Sequence, residues 1–431
     1  MSVTTAETPE MLTTVDGKPL KQAMQSAQRR ARIRAFLLVF PLLAFVVVTF
    51  IFPILQMLHN SMYNPGFVIH RDVQTKVETP IMINLQQWFR DNPAGTPVGE
   101  DAYAALVEDL RFLKEMRAAG QVGTRLNYEL SGTRSMFTKA ARKAPKLKPP
   151  FKDAMLKLDE DWGSPKLWSV MRGASSSYTA NFYLAALDRT RDSNGNVTQV
   201  DEKRRVYVML FERTFLLSLL ITAICLVMAY PVAHLLATLP LRYSNLLMIL
   251  VLLPFWTSLL VRTTSWIVLL QSQGVVNDAL VGVGVLGDEN RIQMIYNQMG
   301  TIIAMTHIML PFMILPLYSV MRPINPSYVR AARSLGANSW TAFWRVYFPQ
   351  TIPGIGAGVL LVFILAVGYY ITPALVGGAD GQLISNLIAF HMQKSLNWSM
   401  AAALASILLA GVLALYWLYD RLVGIDNLKL G

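Results

Sequence analysis

A chain of 431 residues with 53% hydrophobic and only 15% charged side chains is too apolar for a disordered chain or a conventional cytosolic enzyme, where about a quarter of residues are charged. A single cysteine, Cys225, excludes an intrachain disulfide framework and a cysteine-built metal cluster, and five histidines leave little material for a histidine-built one. The net charge of +12 suits an anionic surface or nucleic acid, and its placement along the chain decides between them.

Residues 1–34 read as a polar cytoplasmic tail closing on a basic collar, Arg29, Arg30, Arg32 and Arg34. The collar abuts an apolar run, so its partner is membrane lipid headgroups rather than nucleic acid. Residues 35–58 carry no charge and exceed the roughly 20 apolar residues that cross a bilayer. The run is too long for a signal-peptide core and no A-x-A site follows, so it reads as a retained first span.

Residues 59–205 form a large insert and a lead-in to the second span. Leu106, Leu110, Leu113 and Met116 recur at helical spacing within 101–119, and 151–161 reads as another short helix. A small, mostly helical domain is expected at about 66–175. No metal spacing or nucleophile–base pattern occurs there. The basic stretch 139–148 has no interleaved aromatics and reads as a solvated surface.

A membrane-spanning core is expected over 206–425, with spans at 214–237, 245–270, 300–320, 352–375 and 400–419 and a short tail at 426–431. Six spans put both termini on one side. Lysines and arginines number six in 1–34, one in 238–244, four in 321–351 and two in 420–431. The short loops 271–299 and 376–399 hold one each, Arg291 and Lys394. The positive-inside rule therefore places both termini in the cytoplasm and the insert outside. The fold class is an all-α polytopic membrane protein.

Ionisable groups inside spans are functional candidates. Arg262 lies some 26 Å along a straight third span at 1.5 Å per residue, near the outer headgroups. Snorkelling, structural pairing and pathway lining all remain open for it. His234 and His307 read as satisfied helix residues. Pro231, Pro254, Pro311, Pro316 and Pro373 can break spans, and broken helices line pathways. Phe255, Trp256, Tyr369 and Tyr370 offer π faces to a cation, or form an interface belt. Gly354 and Gly358, and the stripe Ala402, Ser406, Ala410 and Ala414, permit close helix packing, within this chain or against a partner.

The most informative segment is the loop 321–351. Pro326 can start a helix, Gly336 ends it and Ser339 can cap a second. Two short helices around a glycine turn are expected, with four arginines and no acid between Arg322 and Thr351. The segment resembles the E-A-A-x-x-x-G-x9-I-x-L-P loop of ABC-importer permeases. Ala331, Ala332, Gly336 and Pro349 match it; Val346 and Phe348 are apolar stand-ins, and Arg330 replaces the first acid. Ala229–Ala233, Leu253–Ser258, Gly354–Gly358 and Tyr178–Asp188 resemble the PotB/PotH-like branch, permeases of spermidine/putrescine-type importers. The resemblance covers about 30–65 and 176–425 and omits the insert.

That resemblance implies a type I importer permease of the bacterial inner membrane. It also implies a second permease subunit, two ABC ATPase subunits, a periplasmic solute-binding protein and a small polyamine-like solute. Arg330, Ala331, Ala332, Arg333, Ser334, Leu335, Gly336 and Ala337 would contact the ATPase. Phe255, Trp256, Arg262, Tyr369 and Tyr370 are the pathway candidates. The chain has no G-x-x-x-x-G-K-[ST] loop, so ATP and Mg would be held by the partner ATPase, with no cofactor, metal or catalytic residue here. Two rivals stand beside this reading. A secondary transporter or channel would need intramembrane acids. A membrane-anchored scaffold would make the insert the working part. Co-purification with an ATPase separates the first reading from both.

Overall fold

A computed structural model describes residues 20–72, 75–192 and 194–423. Most of the expected N-terminal tail and all of 426–431 lie outside the described residues. The chain divides into two units, Met1–His59 and Asn60–Gly431. In the first, α1 (Leu20–Val46) runs through a π-helical turn, Val47–Ile51, into α2 (Phe52–Asn60). Its apolar stretch Ala31–Asn60 is long enough to cross a membrane, and side chains such as Phe36, Leu38 and Val48 are exposed on it.

The second unit opens with the insert. Its helices are α3 (Pro65–Val68), α4 (Ile83–Asp91), α5 (Glu100–Glu115), α6 (Ala119–Asn127), α7 (Thr133–Lys143), α8 (Phe151–Leu158) and α9 (Pro165–Ala174). A two-stranded hairpin, β1 (Ile69–Arg71) with β2 (Glu78–Pro80), joins α3 to α4. Leu106, Leu110 and Leu113 are fully buried on α5, where the leucine spacing puts them. They share one core with Phe67, Phe137, Trp162 and Trp168. Tyr103 on α5 stacks edge-on against Trp168 at 5.1 Å and donates to the Trp162 carbonyl at 2.9 Å.

The insert closes on itself at its base. The Asn64 amide donates to the Ser177 carbonyl at 2.9 Å and the Thr179 amide to the Met62 carbonyl at 2.8 Å. Arg125 of α6, 5% exposed, donates to the Asn64 side chain and to Glu129. Beyond the base come α10 (Asn181–Ala186) and a hairpin of β3 (Arg189–Arg191) with β4 (Val197–Gln199). The Asp188 carboxylate then accepts from the Val206, Tyr207 and Val208 amides, satisfying the open donors at the head of α11 (Tyr207–Thr238).

The core continues with α12 (Leu241–Leu252), α13 (Leu259–Leu270), α14 (Val275–Gly282), α15 (Gln298–Met321), α16 (Ser327–Ser334) and α17 (Ser339–Ala342). It ends with α18 (Phe348–Gly368), α19 (Ile371–Val376), α20 (Ile384–Gln393) and α21 (Trp398–Val423). Helices α11, α15 and α18 share one buried cluster containing Leu217, Cys225, Met309, Leu317 and Val362. A Cβ on Gly358 would come within 2.6 Å of Met313 Sδ, and one on Gly354 within 3.0 Å of Val320 Cβ. The G-x-x-x-G pair therefore packs α18 against α15 inside this chain. In the α21 stripe, Ala402 and Ser406 are buried while Ala410 and Ala414 are exposed.

Among the described residues, five helices are long and apolar enough to span a membrane, and the count is six if the broken pair Leu241–Trp256 and Leu259–Gly282 is taken as one span. Two expected spans are redrawn. The run 245–270 is not one helix: its halves meet at 96°. Pro254 lacks an amide to continue the ladder, Thr257 is extended, and Ser258 Oγ accepts from the Val261 amide to start α13 anew. The fifth span begins at Ser339 rather than 352 and stops at Gly368 rather than 375, because Tyr369 is extended.

The bundle has two distinct ends. At one, Arg322 Nη1 donates to the Ala237 and Leu239 carbonyls at 2.7 and 3.1 Å, tying the tails of α11 and α15 together. At the other, the Ile384 amide donates to Thr214 Oγ1 at 2.8 Å and Thr301 Oγ1 to the Gly381 carbonyl at 3.1 Å. The loop 321–351 leaves from the first end, and the insert joins at the second.

Candidate functional site

Helix α16 ends in a glycine-terminated cap. Gly336 has φ +94°. Its amide donates to the Arg333 carbonyl, and the Ala337 amide reaches back to Ala332, both at 3.0 Å, the paired bonds of a Schellman motif. Nothing lies within 4 Å of where a Gly336 Cβ would sit, so backbone conformation alone asks for glycine there. Asn338, not the expected Ser339, caps the next helix: its Oδ1 accepts from the Thr341 amide at 2.7 Å. Ser339 is instead the first helical residue. The second short helix is not separate either. It passes through a π-helical turn, Phe343–Tyr347, into α18.

The knob is solvent-facing. Arg330, Ala331, Arg333, Ser334 and Gly336 are exposed, and Leu335 and Trp340 are 90% and 71% exposed. Ala332 and Ala337 are half-buried, while Val329 packs toward the core. Behind the knob an aromatic clamp holds the π turn to α11. Phe343 meets Tyr230 edge-on at 6.2 Å, Tyr347 meets His234 at 4.9 Å, and the Tyr230 and Thr351 hydroxyls are 3.2 Å apart. His234 is thus gripped by rings, and its buried Nδ1 has no hydrogen-bond partner, unlike the satisfied histidine expected.

A second cluster forms where two helices break. α13 starts after the 253–257 break and α19 after the 369–370 break, and Thr263 and Thr372, both fully buried, bring them together with hydroxyls 3.3 Å apart. Arg262 lies in the first turn of α13, its Nε buried without a hydrogen-bond partner, within electrostatic reach of Tyr369 and His307. Trp266 Nε1 donates to His307 Nδ1 at 3.2 Å. The Tyr369 and Tyr370 carbonyls, freed from the helix ladder by the break, accept from Ser385 and Asn386 at 2.7 Å each. Phe255 packs edge-on against Phe312 at 4.9 Å, and Trp256 is 77% exposed.

Residues 214–424 match the model for the binding-protein-dependent transport system inner membrane component. The spermidine/putrescine transport system permease protein PotB of Haemophilus influenzae is 36% identical over 221 residues, 51% of this chain and 77% of that protein. The Escherichia coli PotB is 36% identical over 210 residues, 48% of this chain and 76% of its own length. This chain belongs to the binding-protein-dependent transport system inner membrane component family. The E. coli inner membrane ABC transporter permease protein YdcU is 30% identical over 226 residues, 49% of this chain and 70% of that one. A solved bacterial ABC transporter involved in the import of the acidic polysaccharide alginate aligns over 52% of this chain and 80% of its own at 18% identity, with a TM-score of 0.45.

The chain is therefore a multi-pass permease component of an ABC importer in the inner membrane. The family match begins at 214 and leaves the insert outside it. Of the pathway candidates named from sequence, the fold gathers Arg262 and Tyr369 at one junction and places Tyr370 beside them on the same break. It sets Phe255 and Trp256 on the other break and does not join them to Tyr369. The aromatic clamp of Tyr230, His234, Phe343 and Tyr347 was not legible in the sequence, since its two halves lie more than a hundred residues apart, one in a span and one in the loop 321–351.

Proposed function

We propose that this permease imports a small polyamine-like organic solute and takes its driving force from separate ATPase subunits through the knob around Gly336. The carrying observation is the exposed α16–Gly336–α17 turn, which has Leu335 and Trp340 projecting from it and a stiff aromatic clamp behind it. An exposed apolar pair on a rigid support suits a groove in another protein. Stiffness matters, because a pliant loop would absorb the ATPase's movement rather than pass it to α11 and α18. Polyamine is the solute named for the PotB relatives, and this chain takes it from them as a reading.

In this scheme both termini are cytoplasmic and the insert is periplasmic. The Arg29–Arg34 collar meets lipid headgroups. A second permease subunit completes the membrane unit, a periplasmic binding protein delivers the solute, and ATP and Mg are held by the ATPase. ATPase closure moves the knob, and the spans alternate between outward and inward openings.

Gly336→Asp tests the coupling. A side chain at this φ costs roughly 1–2 kcal/mol, and the acid neutralises part of the positive charge that Arg330 and Arg333 give the knob. ATP-driven uptake in membranes with matched permease levels is expected to fall at least tenfold while the spans still insert. Arg330→Ala, which removes only an exposed charge, is expected to cost less than threefold. Wild-type uptake and ATPase activity in Gly336→Asp would overturn the assignment.

A further inference from the structure

We infer that a cavity at the base of the insert binds a phosphate group, carried by a small phosphate ester or by a lipid headgroup. The inference goes beyond the permease reading and stands apart from it, because the site lies within 86–177, outside the family match.

The cavity holds about 350 Å³, within the roughly 300–1,000 Å³ of small-molecule sites. Arg90 comes to it from the last turn of α4 and Arg172 from α9. Phe89 and Gln86 of α4 and the run Ser175–Ser177 complete the lining, which contains no carboxylate.

Arg172 is held in a fixed pose. Its Nη1 donates to the Phe89 and Asn92 carbonyls at 3.0 and 2.6 Å, and its guanidinium lies 4.7 Å from the centre of the Phe89 ring. That leaves the Nε–Nη2 edge, the pair of parallel N–H groups that grips an oxyanion at two points. Burial pulls the Arg172 pKa below the ordinary arginine value, yet a guanidinium stays charged. Neither Arg172 nor Arg90 forms an ion pair among the described residues. The neighbouring acid, Asp91, is turned to Gln87, whose side-chain nitrogen lies 3.1 Å from each of its oxygens. A partly desolvated cation without a counter-charge favours an anion beside it.

The donor set favours phosphate over carboxylate. Ser176 Oγ accepts from the Tyr178 amide at 3.4 Å, which leaves its own proton to donate. Two guanidiniums and a hydroxyl offer more donors than the two oxygens of a carboxylate use, and suit the oxygens of a phosphate. The location allows a lipid source. The Asn64 side chain donates to the Ala174 and Ser176 carbonyls at 2.9 and 3.1 Å. The adjoining Tyr63 carbonyl accepts from Ser399 Oγ at 3.0 Å, in the first turn of the apolar span Trp398–Arg421. The serine run therefore sits beside the start of a span, where headgroups meet protein.

The test uses the full chain in dodecyl maltoside, a phosphate-free detergent, and reads equilibrium dialysis of radiolabelled inorganic phosphate at fixed ionic strength. Saturable binding at about one phosphate per chain is expected, weakened at least tenfold in Arg172→Gln and in Arg90→Gln by loss of hydrogen bonds between charged groups. Arg134→Gln, on the exposed surface of α7, is expected to bind as wild type does. Arg172 also holds the end of α4, so Arg90→Glu carries the test if Arg172→Gln does not fold: the reversed charge should abolish binding. Glycerol 3-phosphate and dihexanoyl phosphatidylglycerol, added as competitors, separate the sources. Equal displacement by both indicates a free ester, and displacement at a tenfold lower concentration of the lipid indicates a headgroup. No saturable binding, unchanged binding in Arg90→Gln and Arg90→Glu, or displacement by acetate as effective as by glycerol 3-phosphate would each overturn the site.

Discussion

Asp109 is a carboxylate with 2% of its surface exposed, set against the head of α4. It accepts from the Leu85 and Asn84 amides at 2.8 and 3.2 Å and from the Asn84 side chain at 3.0 Å. Burial outweighs those donors and pushes its pKa up to about 6. A carboxyl raised above its unfolded value binds its proton more tightly in the folded insert. Its favourable contribution is full below about pH 4 and is lost as pH rises through about 6, by up to ~3 kcal/mol at about 1.4 kcal/mol per unit. Hydrogen exchange of the α4 and α5 amides in the intact protein should give an opening free energy that falls over that window, with a flatter profile in Asp109→Asn. An equal slope in both proteins would show that Asp109 does not set it. At this scale the sequence was partly legible. Gly336 announced its own left-handed turn. The cap beside it fell on Asn338 rather than Ser339, because both residues can accept from an amide and only the backbone angles choose.

Among the elements, the leucine spacing of α5 and the long apolar helices over 214–237, 300–320 and 400–419 could be read from apolar periodicity and length. The third and fifth spans could not. Hydropathy counts apolar residues and is blind to direction, so 245–270 read as one helix although Pro254, an extended Thr257 and the Ser258 cap divide it. The π turn at Phe343–Tyr347 was hidden for the opposite reason. Nothing in its local sequence forbids a regular helix, and it exists because Tyr230 and His234 of α11 hold its rings. The element-level expectation concerns the insert. Its core shares no buried residue with that of α11, α15 and α18, and its two ends are hydrogen-bonded neighbours at Met62–Asn64 and Ser177–Thr179. Replacing 65–176 by a short glycine linker should leave a core that inserts and elutes as a monodisperse complex in detergent. Aggregation of the excised chain would mean that the core depends on the insert.

For the molecule as a whole, the arrangement is, under the proposed function, a transmission. A knob sits at one end of a tightly packed three-helix bundle, and the junction of broken helices and an insert with its own buried core lie toward the other. On the proposed topology, which rests on the positive-inside charge pattern of the short loops, the knob faces the cytoplasm, where an ATPase would meet it. The most direct measurement is a cross-link. With Cys225 replaced by serine, Leu335→Cys becomes the only thiol in the chain and sits at a position of the knob that is 90% exposed. A short bifunctional thiol reagent applied to membranes of the assembled transporter, with single cysteines placed along the ATPase surface, should yield a permease–ATPase adduct from Leu335→Cys and none from Ser131→Cys in the insert. An adduct from Ser131→Cys, or none from Leu335→Cys in a transporter that still couples ATP to uptake, would contradict the assignment of this loop as the coupling element.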